Sequence, residues 1–150
     1  MNSHPDYKIT ETEDFYPLSQ LFNASGMDVP VSRVTPEHTI KMWRMDDTGR
    51  NLMAALTIEY KNDCFVLENL AVREDLRKAG LGKIMLSLAE KEFRARGARR
   101  IWGCAKVPEY YLQYGWTPID REKAPVISHC QDCDQFHESC FPIIIYKDLK

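Results

Sequence analysis

No stretch of this sequence is long and apolar enough to span a membrane; the longest aliphatic block is Ile143-Ile144-Ile145, against the ~20 residues a spanning helix requires. The N-terminus, MNSHPDYKIT, lacks the charged-then-apolar pattern of a secretory leader, so a cytoplasmic location and no membrane partner are expected. Excess charge is missing as well. Lys and Arg total 20 against 22 Asp and Glu, a net charge of −2, which gives no global reason to expect nucleic acid as a partner. Internal repeats and low-complexity segments are absent. Five cysteines, an odd number with no leader before them, argue for thiols or metal ligands and against a disulfide framework. What remains is a chain of 150 residues with an ordinary globular composition. It is expected to form one domain over 1–150 and to bury roughly two thirds of its unfolded surface.

The local patterns alternate between strand and helix. YKIT reads as a short strand. ETEDFYPLSQLFNASG carries Phe15, Leu18, Leu21 and Phe22 at helical spacing, with Gly26 as the stop. VTPEHTIKMW predicts a second helix, with Thr35 as N-cap and Pro36 in its first turn. DDTGR predicts a hairpin turn in which Asp and Gly supply the unusual backbone angles. Leu52 to Tyr60 alternates with the period of a strand, KND turns the chain, and CFVLENLAV is apolar enough to be a central strand covered on both faces. A helix follows, with an apolar stripe of Leu81, Ile84, Met85, Leu88 and Ala89, and Gly97 ends it. ARRIWGCA predicts a strand, PEYYLQYG a short helix closed by Gly115, and FPIIIYKDL a last strand. This order specifies a mixed α/β sheet with a parallel crossover.

The segment Lys78-Ala79-Gly80-Leu81-Gly82 opens the long helix and contains none of the Ser, Thr, Asp or Asn side chains that usually cap one. A helix N-terminus leaves amides unpaired and carries partial positive charge. Two glycines would let an anion approach those amides, and Arg77 and Lys78 add charge. The segment is therefore either a phosphate-binding turn or a tight strand-to-helix corner. It is not a P-loop, because Arg77 stands where the first glycine belongs and Ile84 where Ser or Thr is needed. A dinucleotide fingerprint fails at Met85, and no acid follows at the ribose position, where Ile101-Trp102 stand.

LENLAVREDLRKAGLGKIML resembles motif A of the GNAT acyltransferase superfamily: a strand ending in Val, then Arg/Gln-x-x-Gly-x-Gly/Ala, then a helix. YYLQYGW is similar to the family's downstream Tyr-x-x-x-Gly-Phe signature, with Tyr111, Gly115 and Trp116 in those places, and IIIYKDL to its common last strand. The resemblance covers most of the chain. It implies a mostly antiparallel sheet with a splayed parallel central pair and flanking helices. It also implies an N-acetyltransferase that passes an acetyl group from acetyl-CoA to a primary amine, small-molecule or peptide, by direct attack in a ternary complex. The amides of Lys78, Ala79, Gly80, Leu81 and Gly82, flanked by Arg77 and Lys83, would take the pyrophosphate. The strand end Leu70-Ala71-Val72 would pair with the pantetheine arm and offer an oxyanion donor. The chain departs from the family at Cys104-Ala105-Lys106, where many members carry an Asn. Monomer and homodimer are both compatible with this reading.

Amine acylation needs a base for the ammonium and an acid for the departing thiolate. By its motif position Tyr111 is the candidate acid, since a phenol near pKa ~10 can share a proton with an alkyl thiol. Glu68, a lone carboxylate in an otherwise apolar strand, is either the general base or a strand carboxylate paired with an arginine. Glu109 is a second candidate base and Cys104 a possible acyl-carrying nucleophile. Met27, His38, Met42 and Trp43 either line an acceptor pocket or pack the core.

HCQDCDQFHESC stands apart from these motifs. Within 129–140 it places Cys130, Cys133, His137 and Cys140, with His129 beside them. Cys-x2-Cys spacing lets two thiolates grip one zinc ion, which His137 or His129 would help to complete; reduced or redox-active thiols are the alternative. Two other readings of the whole chain stay open: a non-catalytic acyl-CoA-binding regulatory module, and a zinc-stabilised interaction domain.

Overall fold

Asp14 decides where the first helix begins. Its carboxylate accepts the Tyr16 N–H at 3.2 Å and caps α1 (Phe15–Ala24), which follows the short strand β1 (Lys8–Glu11). Phe15, Leu18 and Phe22 form the buried face of α1, and Gly26 leaves the helix at φ 81, as their spacing predicts. The structure, a computed structural model, describes residues 6–105, 107–125, 127 and 143–149. The chain divides into two units, Met1–Glu59 with Glu68–Lys91 and Tyr60–Leu67 with Glu92–Lys150.

In the first unit the second helix expected after Thr35-Pro36 does not form. Thr39–Asp46 is strand β2, antiparallel to β1 on one side and to β3 (Leu52–Lys61) on the other. Pro36 accepts the Thr39 N–H at 3.1 Å and closes a turn. Thr39, Ile40 and Trp43 suit a pleated surface, and two flanking strands supply ladder bonds that outweigh local helix preference. The β2–β3 turn also differs in detail from expectation. Asp47 accepts the Gly49 and Asn51 N–H groups at 2.9 Å each, but the left-handed angle falls on Arg50 (φ 64) and not on Gly49. In the β3–β4 turn Asn62 and Asp63 both take positive φ, 51 and 62, as a two-residue hairpin turn requires. The core of this unit is Phe15, Leu18 and Phe22 packed on Met42, Ala55 and Ala71, with Leu21, Met27 and Val29 against them.

Strand β4 (Cys64–Val72) follows the β3–β4 turn. Near the turn Tyr60 stacks on Phe65 at 4.8 Å. Farther along, the Arg73 N–H donates to Met53 at 2.8 Å and Asn69 Nδ2 to Thr57 Oγ1 at 3.1 Å.

Helix α2 (Leu81–Ala95) buries Leu81, Met85, Leu86, Ala89 and Phe93. Ile84 and Leu88, expected on that stripe, are half-buried at its margin. In the second unit β4 pairs in parallel with β5 (Arg100–Ala105) over Phe65–Leu67 and Ile101–Gly103. Strand β5 is antiparallel to β7 (Ile143–Asp148), and β7 to β6 (Thr117–Ile119), with the short helix α3 (Pro108–Leu112) between β5 and β6. β6 was not anticipated: it has three residues and contains Pro118, which an edge strand tolerates. Val66, Ile127 and Ile144 form the core here, with Cys64, Trp102, Cys104, Ile119 and Ala124 against them. The hydrogen-bonded strand order is β1-β2-β3-β4-β5-β7-β6, a mixed sheet with one parallel pair. No helix among the described residues is long and apolar enough to cross a membrane.

Candidate functional site

The turn before α2 is shaped by two left-handed residues. Lys78 has φ 73 and Gly80 φ 81; the first is costly for a residue with a Cβ, by ~1–2 kcal/mol, and the second is free for glycine. Just upstream, Arg77 folds back so that its Nε donates to the Val72 carbonyl at 3.2 Å, tying the turn to the end of β4. The first hydrogen bond of α2 runs from the Ile84 N–H to the Gly80 carbonyl at 3.3 Å. The amides of Leu81 and Gly82 precede that bond and so face outward from the helix end. Two left-handed residues one apart turn the chain sharply into α2. Arg77, Lys78, Gly80 and Lys83 are exposed, while Leu81 and Gly82 are buried. Arg73 and Asp75 pair at 2.7 Å beside the turn, and that bond holds the Asp75 carboxyl below its ordinary pKa.

At the strand end Ala71 is buried against α1, and Leu70 and Val72 are half-buried. Glu68 is half-buried, next to the bonded pair Asn69–Thr57. A second carboxylate, Glu59, is more enclosed, at 6% exposure, and stands opposite Thr39 in the β2–β3 register. The signal that singled out Glu68, a lone acid in an apolar strand, was also available for Glu59. Met42 and Met27 belong to the α1 core, Trp43 is buried, and His38 is exposed.

Tyr111 lies in the second unit. Its ring is edge-on to Tyr110 at 5.3 Å and to Trp116 at 5.8 Å. Burial, and secondarily Tyr110, pushes its phenol well above the usual tyrosine range, so at neutral pH it is a proton donor and not a base. Burial also pushes Tyr110 up to about 12. Gly115 ends this segment at φ 90, and Lys147 Nζ caps it by donating to the Tyr114 carbonyl at 2.7 Å. Glu109 is exposed in the first turn of α3, and Cys104 packs against the Val66–Ile144 cluster.

The two phenols give a stability signature. The folded chain holds their protons more tightly than the unfolded chain, so stability is complete below pH 10 and falls as pH rises through the folded values, the first about 12. The thermal midpoint should drop across pH 10–12 and drop less in Tyr110→Phe. Equal slopes for the two proteins would contradict the enclosed position of this ring.

Glu68, Leu70–Val72 and Arg77–Lys83 thus fall in the first unit and Tyr111 in the second. Cys130, Cys133, His137 and Cys140, with His129, lie outside the described residues. Among the described residues no group of three His, Cys, Asp or Glu side chains is arranged to hold a metal.

The family model described as Acetyltransferase (GNAT) family matches residues 6–112. The chain belongs to the GNAT family. Its fold is shared with N-acetylglutamate synthase from Neisseria gonorrhoeae, solved with coenzyme A and N-acetyl-glutamate (TM-score 0.76, 18% identity, 98% of this chain). This GNAT chain spans only 36% of that protein. The ribosomal-protein-S18-alanine N-acetyltransferase from Escherichia coli matches with TM-score 0.68 at 18% identity, over 97% of this chain and 95% of that one. A GNAT acetyltransferase from Elizabethkingia anophelis with acetyl-CoA bound matches with TM-score 0.67 at 12% identity, over 97% and 100%. At such identities the likeness establishes the fold alone. No curated protein matches the sequence.

Proposed function

We propose that this GNAT chain is an N-acetyltransferase that uses acetyl-CoA and a primary amine. The observation that carries the reading is the turn at 77–82. Left-handed residues at Lys78 and Gly80 stand immediately before the first hydrogen bond of α2, with Arg77 fixing the turn to the strand end. Those amides and the positive helix end suit a diphosphate, and Lys78 adds a cation. Acetyl-CoA supplies an activated acyl group on sulfur. Backbone groups of Leu70, Ala71 and Val72 align the pantetheine arm, and an N–H there polarises the thioester carbonyl. Glu68 takes the proton of the acceptor ammonium, which frees the nitrogen lone pair for attack.

The role of Tyr111 follows from its raised pKa. A phenol held well above a thiol's ~8.5 gives up its proton to a thiolate only uphill. In this reading Tyr111 stabilises the departing sulfur chiefly by donating a hydrogen bond to it. Turnover is the test: acetyl-CoA is incubated with a panel of primary amines and free thiol is followed. Thiol release that requires an amine and collapses in Glu68→Gln supports the proposal. CoA binding with no amine-dependent release from any member of the panel contradicts it.

A further inference from the structure

The crossover from β4 into the turn at 77–82 is tied down by an arginine side chain at each end. Arg77 Nε bonds back to the Val72 carbonyl, while Arg73 reaches in two directions. Its Nη1 donates at 3.3 Å to the carbonyl of Leu52, the first residue of β3. Its Nε and Nη2 grip the Asp75 carboxylate at 2.7 and 3.3 Å, a two-pronged bond. The Arg73 carbonyl accepts the Leu76 N–H at 2.9 Å, so the residue also opens the short turn Glu74–Leu76 that leads to Arg77. The bond to Asp75, and after it the charges of Asp75 and Asp47, raise the Arg73 guanidinium above its ordinary pKa, which places both carboxylates within its field. A pair this open to solvent, with side chains 36% and 65% exposed, contributes little to folding. Its charge matters more to a neighbouring ligand. Residues 73–78 carry Arg73, Arg77 and Lys78 against Glu74 and Asp75, and Asp47 matches the third cation. Without Arg73 the approach to the turn would be net negative, which a diphosphate disfavours.

We propose that Arg73 is a positioning residue for the cofactor, which sets the affinity of the turn for the diphosphate of CoA by masking Asp75. The inference rests on the reading of 77–82 as a diphosphate turn. Arg73 acts through the carboxylate it holds, three residues ahead of Lys78, and takes no part in the chemistry. Two consequences separate masking from bracing of the crossover. Masking is electrostatic, so its effect shrinks as salt screens it, over a Debye length of ~10 Å at about 0.1 M. It also has a sign: a neutral residue at 75 removes an anion and leaves the Arg73 charge uncompensated, which favours the ligand. Bracing carries no such salt dependence, and under it the loss of either partner loosens the turn and weakens binding.

The experiment measures CoA binding by calorimetry for the wild type, Asp75→Asn, Arg73→Gln and the double variant, each at about 0.05 M and about 0.5 M salt, with thermal melts on the same preparations. At low salt Arg73→Gln should weaken CoA roughly tenfold, and Asp75→Asn should tighten it roughly threefold. The double variant, which loses both charges together, should return to within roughly threefold of the wild type. At high salt the differences should shrink to about twofold or less. Asp75→Asn that weakens CoA, a double variant no better than Arg73→Gln, or an Arg73→Gln loss that salt leaves unchanged overturns the masking role and leaves the diphosphate turn standing. If Arg73→Gln fails to fold, Asp75→Asn carries the test by the sign of its effect. Wild-type protein that does not bind CoA brings down the turn reading and this inference together.

Discussion

Gly80→Asp should abolish CoA binding while the fold survives. Gly80 sits at φ 81, where a side chain is strained, but Asp is among the residues that tolerate this region best. The conformational cost is of order 1 kcal/mol, which lowers the melting temperature of a domain this size by only a few degrees. The electrostatic cost to a ligand is larger. A carboxylate about 4 Å from a phosphate charge at an effective dielectric of about 20 opposes binding by about 4 kcal/mol, close to a thousandfold in affinity. Gly80→Ala separates the two effects, since it carries the strain without the charge and should weaken CoA far less. Calorimetry on the three proteins, with thermal melts alongside, checks the prediction. Wild-type affinity in Gly80→Asp would mean that the diphosphate does not approach this turn.

Tyr111→Phe should lower kcat by roughly a hundredfold, the worth of one hydrogen bond to a charged group, and leave CoA affinity near wild type. The ring contacts to Tyr110 and Trp116 can persist, because only the hydroxyl is removed. The pH profile adds a second check. The phenol is held above its ordinary value of 10, so Tyr111 stays protonated through pH 10, and wild-type kcat should show no alkaline loss from this group below that. The substitution should therefore lower the plateau without moving its alkaline edge. A Phe variant with full kcat, or one whose only defect is CoA affinity, would remove Tyr111 from the chemistry.

What could be read from the sequence follows the range of the interactions involved. α1 was legible because its apolar spacing and its glycine stop lie within one short stretch, and the β3–β4 hairpin because Asn62 and Asp63 carry the turn chemistry themselves. The cofactor turn was legible in outline for the same reason: glycines, cations and a missing cap are local facts. That the strain falls on Lys78 as well as on Gly80 was not, since nothing in a lysine announces a left-handed angle. β2 was misread because Thr35-Pro36 looks like a helix opening, whereas the ladders to β1 and β3 that decide the matter come from residues far along the chain. β6 is too short to carry a period and exists through its pairing with β7. The surroundings of Glu68, next to the bonded pair Asn69–Thr57, depend on the partner strand. The enclosure of Glu59 is likewise a consequence of what covers β3, and alternation alone says only which way its side chain points.

The central claim is that the amides at the entrance of α2 receive a diphosphate. A calorimetric comparison of CoA with pantetheine, which keeps the arm and the thiol but lacks the diphosphate, tests it most directly. CoA should bind one per chain and pantetheine roughly a hundredfold or more weaker. Equal affinity for the two, or no heat from CoA at all, would contradict the account.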